Sequence, residues 1–168
     1  MNMTGQNNDG RRDSGYTQYG NYSSRERNVG STRAAQSRDN LPKKIEAQSL
    51  PSDFVSLAED VIRGGNWSKL ITTSKIRRLF SLCIEIYNLE KPRTSDSLLP
   101  ESITRLQLAQ IRMLYEVGRD KKQTGEFLVS ARLVEYLKDI GNSREKLLHY
   151  FHYMEALVAY HKFYGGKE

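Results

Sequence analysis

The sequence has a single cysteine, Cys83, among 168 residues. No intrachain disulfide can form, which fits a reducing compartment. It lacks any apolar run near the ~20 residues needed to cross a bilayer. The N-terminus lacks the apolar stretch of a secretory signal. The expectation is a cytoplasmic protein without membrane contact. A Gly-rich phosphate loop ending in Lys-Ser/Thr is also missing. Histidine is scarce, with three residues. His149 and His152 stand three apart in a helical stretch and could in principle share a metal. No Cys or acidic cluster lies near enough in sequence to complete the four or so ligands such a site needs. Cys83 falls inside an apolar helical stripe, where a thiol is inert. A small metal-dependent nuclease would need an acidic cluster that is not there. The expectation is therefore no catalytic residue, no metal ligand and no cofactor.

Aliphatic side chains are nearly missing from residues 1–40, which are dominated by Gly, Ser, Asn, Gln and Arg. Apolar burial cannot offset the entropy of ordering such a segment, so a disordered tail is expected. Arg11, Arg12, Arg25 and Arg27 interleave there with Tyr16, Tyr19 and Tyr22. Such mixtures can touch RNA by phosphate attraction and stacking, although the composition favours a solvated leader. Residues 1–50 are read as tail and linker, and residues 51–168 as the folded domain, long enough for one core.

The formal net charge is +6 and the sequence pI about 9.4, a balance that favours anionic partners such as nucleic acid. The tail carries six Arg against four acids, and the remainder twenty Lys and Arg against sixteen acids. With acids so plentiful, a basic patch on the domain has to come from local clustering.

What is present is helical periodicity, with no strand-like alternation and no internal repeat. The fold class expected is all-α, a compact bundle of about five helices behind the tail. The first helix, about 52–63, has Phe54, Leu57, Ala58, Val61 and Ile62 on one stripe. The second, about 73–89, carries Ile76, Leu79, Phe80, Cys83, Ile84 and Tyr87. Leu82 and Ile86 widen its stripe, which predicts a central helix. The third starts near Pro100, a residue suited to a first helical turn, and ends near Gly118. Ile103, Leu106, Met113, Leu114 and Val117 are predicted to face inward. The fourth, about 125–140, has two apolar faces, one with Phe127, Ala131 and Val134, the other with Val129, Leu133, Tyr136 and Ile140. The fifth, about 144–163, buries Leu147, Phe151, Met154, Leu157, Val158 and His161. Trp67, in the short connection 64–70, is read as an anchor for that connection.

Two basic constellations stand out. Lys69, Lys75, Arg77 and Arg78 surround Thr72, Thr73 and Ser74 at the start of the second helix, with no acid until Glu85. Free backbone N–H groups at a helix start attract anions, and phosphate contact needs donors, cations and exposure together. An ordinary capped helix with a solvated face fits the same residues equally well. On the third helix Arg105, Arg112 and Arg119 form one ridge shared with Glu101 and Glu116, a salt-laced outer face. Arg119, Lys121 and Lys122 at its end are diluted only by Asp120, though cations also suit a helix C-terminus.

The segments ITTSKIRRLF (71–80), YEVGRD (115–120) and MEALVAYHKFYGGK (154–167) resemble the small subunit of the type III-A CRISPR interference complex. The resemblance covers roughly residues 50–168 and leaves the tail aside. It implies a helical bundle of which several copies stack along a filament of backbone subunits holding the guide RNA. These copies would line the target strand of the guide RNA–target RNA duplex and support the large subunit without cutting anything. It assigns target-strand phosphates to Lys75, Arg77 and Arg78, with Thr72 and Thr73 supporting and Arg119 following. Lys69, Lys121 and Lys122 join the RNA-binding set on charge alone. The rival reading is a helical protein-interaction or DNA-binding module, alone or as a homo-oligomer, although no helix-turn-helix pair can be assigned cleanly.

Deleting residues 1–40 is expected to leave the domain folded, because the segment has too little apolar surface to join a core. Circular dichroism and thermal melting of residues 41–168 check this. A collapse of helicity would show the tail to be structural.

Overall fold

Seven helices and one π-helical turn carry most of residues 44–168, the part of the chain that the computed structural model describes. The expectations for the tail at 1–40 lie outside these residues. In order the elements are α1 (Phe54–Gly64), α2 (Trp67–Leu70), α3 (Thr73–Glu90) and α4 (Pro100–Arg119). The π-helical turn Lys121–Gly125 follows, then α5 (Glu126–Ser130), α6 (Leu133–Asp139) and α7 (Arg144–Phe163). No strand occurs among the described residues, and the only β-type pairing among them is the isolated bridge Ser97–Ser143. No helix among them is long and apolar enough to cross a membrane.

The ordered domain begins before the expected boundary at residue 51. Residues 44–50 are an extended strap on α6. Gln48 N–H donates to the Glu135 carbonyl at 3.2 Å, and Lys138 Nζ to the Ile45 carbonyl at 2.6 Å. Ser49 Oγ donates to Asp139 at 2.9 Å, and Ile45 and Leu50 pack against the core. Two apolar anchors five residues apart give no periodic signal over so short a segment.

The central element is α7 rather than α3. It touches α1, α2, α3 and α6, and buries Leu147, Tyr150, Phe151, Tyr153, Met154, Leu157 and His161. Phe151 stacks on Tyr87 of α3 with ring centroids 3.7 Å apart. The width of the α3 stripe misled because Ile84 is 37% exposed at its edge. Leu114 of α4 and Val129 of α5 are likewise surface residues, since no element among the described residues covers those faces.

The fourth expected helix is broken in two. Arg132 adopts a left-handed φ of 49°, turning α6 away from α5. A straight rod could not bury both apolar faces against one core, and the bend lets Phe127, Ala131, Leu133, Val134 and Tyr136 all go in. Carbonyls at the break are satisfied from α7. Tyr153 Oη donates to Ala131 at 3.0 Å, and Tyr150 Oη to Leu133 at 3.1 Å. Burial pushes both phenols above their ordinary pKa, which keeps them as donors. Trp67 anchors α2 as expected. It is buried, edge-on to Phe127, and its Nε1–H donates to Ser130 Oγ at 3.3 Å. Gly65 allows this, since a Cβ there would lie 2.0 Å from the indole nitrogen.

The loop between α3 and α4 hangs on a buried carboxylate. Glu90 accepts from Leu99 N–H at 2.9 Å, at the N-cap of α4, and from Arg93 at 2.5 Å. Burial alone would raise its pKa. Hydrogen bonds from Leu99 and Arg93, with the Arg93 charge, outweigh that and hold it below the ordinary value. Arg144 donates to the Glu90 and Lys91 carbonyls, each at 2.8 Å, tying the loop to the start of α7.

His161 closes the bundle. It is fully buried. Its Nε2 lies 2.9 Å from the Ile71 carbonyl and its Nδ1 3.3 Å from Thr73 Oγ1. A carbonyl only accepts, so Nε2 carries the proton, and in the neutral ring Nδ1 takes the threonine hydroxyl. Gly166 lies against the ring, where a Cβ would come 2.1 Å from His161 Cε1. His161→Ala is expected to lower stability by about 2–4 kcal/mol, from the cavity and the two orphaned polar groups. Phe163→Ala, at a side chain 77% exposed, should change it by less than ~0.5 kcal/mol. Urea denaturation of the two variants checks the contrast, and equal effects would contradict the clasp.

Candidate nucleic-acid interface

The start of α3 is built by a local cap and a distant one. Thr72 is the N-cap, and its hydroxyl accepts from Lys75 N–H at 3.3 Å. Thr73, one residue on, points inward. Its side chain is fully buried on His161, and its N–H donates to the Lys167 carbonyl at 2.7 Å. Two first-turn donors are thus already engaged. Of the two readings the sequence left open, this arrangement fits the capped helix, and the Thr73 side chain lies in the interior. The reason is tertiary, because residues from the chain's far end fold back over the turn. Arg77 remains exposed, with Glu168 3.6 Å away.

The cations of α3 next meet the end of α4. Lys75 Nζ donates to Asp120 at 2.8 Å and to Gln123 Oε1 at 2.6 Å. An ammonium has three donors, so most of Lys75 is spent inside the protein. Asp120 is the N-cap of the π-helical turn. It accepts from Thr124 Oγ1 at 2.9 Å and from the N–H groups of Gln123 and Thr124, both at 3.3 Å. The Lys75 ammonium and the Thr124 hydroxyl hold its pKa well below the ordinary carboxylate range. One turn earlier, Glu116 Oε2 accepts from Arg78 Nη2 at 2.6 Å and from Arg119 Nη2 at 2.8 Å.

These contacts draw two sequence-distant basic clusters onto one surface. It carries Lys75, Arg78, Arg119, Lys121 and Lys122 with Glu116 and Asp120 among them, five cations against two acids. Lys121 and Lys122 are exposed on the π-helical turn, and Lys69 is exposed on α2. The acids were visible in the sequence, but their roles were not. Nothing local shows that Glu116 and Asp120 reach back to α3. Beside this surface a groove of about 320 Å³ runs between α3 and α4, lined in part by Leu82, Ile111, Arg112 and Tyr115. Ile111 and Tyr115 are 62% and 65% exposed.

Several of the other polar groups have structural partners. Arg105 pairs with Glu101 at 2.6 Å and Glu85 at 3.1 Å, the salt-laced face expected of that ridge. His149 sits edge-on to Phe54, and His152 lies 2.9 Å from Glu155. Among the described residues no group of three or more His, Cys, Asp or Glu could hold a metal ion. Cys83 is fully buried, and burial pushes its thiol up to about 12.

Comparison with known proteins bears on the whole domain. A sequence model described as Csm2 Type III-A matches residues 48–167. The chain is 41% identical over 104 residues to a Streptococcus thermophilus protein named CRISPR system Cms protein Csm2, covering 62% of this chain and 79% of that one. A protein of the same name from Mycobacterium tuberculosis is 35% identical over 123 residues, covering 71% of this chain and 97% of that one. Another, from Enterococcus italicus, is 33% identical over 126 residues, with 73% and 84% covered.

The Asp120 arrangement predicts a pH dependence. A carboxyl whose pKa is depressed by folding adds stability above its unfolded value of about 3.9, and loses it as pH falls through the folded value. The wild type should therefore melt above Asp120→Asn near neutral pH. The gap should close as pH drops below about 4. Melting temperatures of both proteins across that range test it, and a gap independent of pH would contradict it.

Proposed function

The chain belongs to the Csm2 Type III-A family, and from that premise we propose that it is the non-catalytic small subunit of a type III-A CRISPR effector complex. In this reading it works in the cytoplasm and lines the target strand of the guide RNA–target RNA duplex. It contacts the backbone and large subunits and further copies of itself. The observation that carries the reading is the convergence of α3 and the end of α4. Cations separated by some forty residues in the chain share one surface, held by Lys75–Asp120 and by Glu116 between Arg78 and Arg119. Such a surface suits a ligand with phosphates along its length.

The individual assignments change in weight. Arg77, Arg78, Arg119, Lys121 and Lys122 are the contact residues, and Lys69, exposed on α2, is added to them on charge. Lys75 and Thr72 chiefly build the helix start, and Thr73 supports it from inside. The non-catalytic reading is supported by the burial of Cys83 and His161 and by the structural partners of His149 and His152. Leu108, Ile111 and Tyr115, exposed along α4, favour protein contacts in the same complex.

The test uses exposed cations that do not hold the fold together. Changing Arg77, Lys121 and Lys122 to Gln together should weaken binding to single-stranded RNA while leaving the melting temperature near wild type. With a slope of ~−0.7 in log affinity against log salt per phosphate contact, the salt dependence should flatten by about two units. Arg105→Gln with Arg112→Gln is the control and should matter less. Wild-type affinity with an unchanged slope in the first variant would sink the reading.

A further inference from the structure

We propose that Glu116 is a positioning residue that yokes Arg78 and Arg119 into a single two-guanidinium phosphate fork. The inference rests on the RNA-binding reading above and assigns this acid a role opposite to its charge. Taken alone, a carboxylate in a basic surface repels phosphate, and removing it should help binding. The geometry points the other way.

One oxygen, Oε2, accepts from Nη2 of both arginines, at 2.6 and 2.8 Å. Those two nitrogens are therefore at most about 5.4 Å apart. Two guanidinium ions at that separation would push each other away without an anion between them. The three side chains are layered. Glu116 is 14% exposed, whereas Arg78 and Arg119 are 47% and 48% exposed. The carboxylate lies beneath and the cations above, facing solvent. Glu116 is held by α4, on which Arg119 follows three residues later, and Arg78 reaches across from α3.

Each guanidinium carries five N–H donors in a planar fork. Glu116 engages only the Nη2 group of each, and the Nε and Nη1 groups of both have no hydrogen-bond partner among the described residues. Those donors match a phosphate, which is bound best by paired N–H groups. The trio keeps a net charge of +1, so it still attracts an anion. An arginine free in solvent loses rotamer freedom when it grips a ligand, and that loss opposes binding. Here folding has already restricted both arginines.

The test is fluorescence anisotropy of the full chain with a labelled single-stranded RNA at low ionic strength, with melting temperatures in parallel. Glu116→Ala is expected to bind RNA roughly three- to tenfold more weakly, although it adds positive charge, because two long side chains must be ordered at binding. Glu116→Gln keeps an acceptor and should fall between the two. In an Arg78→Ala background the sign should reverse. With no pair to hold, Glu116→Ala leaves affinity unchanged or raises it. A general packing defect would instead weaken binding in both backgrounds, and that outcome overturns the fork. So does Glu116→Ala binding as tightly as wild type, or more tightly, when the Arg77, Lys121 and Lys122 variant has lost affinity. If that triple variant binds like wild type, the RNA reading and the fork fall together.

Discussion

His161 is the residue on which the remaining arrangement depends. Its ring bridges the carbonyl of Ile71 and the hydroxyl of Thr73, on the two sides of the α3 N-cap. The chain after it returns over the same turn, where Lys167 accepts from Thr73 N–H. The last helix and the first turn of α3 are thereby fixed as one unit. That placement sends Lys75 toward Asp120 and Arg78 toward Glu116. Both polar ring atoms are satisfied in a site without solvent, so removing either partner exposes the cost of an unmet buried group. Two of the three segments that carry the resemblance, 71–80 and 154–167, are the segments that meet here.

The proposed interface follows from how charge is handled around that clasp. Five cations gathered without acids would repel one another and oppose folding. Glu116 and Asp120 relieve this where the helices touch, each accepting from α3 and from its own neighbourhood. The surface stays positive, with the one acid beneath the two cations in the Glu116 trio. The same ion pairs thus serve α3–α4 packing and shape what the surface offers a phosphate backbone. Exposed pairs of this kind add little stability individually, so their value lies in geometry.

The fold class, the helix starts at Thr73, Pro100 and Arg144, and most of the buried stripe residues were legible from periodicity and capping residues. The anchoring of Trp67 and the burial of Cys83 and His161 were legible too, because an aromatic in a tight connection and polar groups on apolar faces have few other places to go. Illegible were the break at Arg132, the ordered strap 44–50 and the centrality of α7. Tyr150 and Tyr153 fell outside the expected stripe because their hydroxyls are matched to carbonyls on α5–α6 that periodicity does not see. At the interface the cations could be named one by one, but the inward placement of Thr73 against His161 could not be read from the sequence.

Sequence alone determined what depends on near neighbours along the chain: an all-helical domain with a basic surplus, an N-terminal stretch poor in aliphatic side chains, and two separate runs of cations. Tertiary structure alone decided which of those cations are spent in holding the fold and which face outward. Lys75 and Lys121 look alike in the sequence, yet one ammonium is shared by Asp120 and Gln123 and the other lies exposed. The physical reason is range. Helix propensity and capping act over three or four residues, whereas the partners that commit or release a charge arrive from helices about forty residues away, once His161 has set where α3 begins.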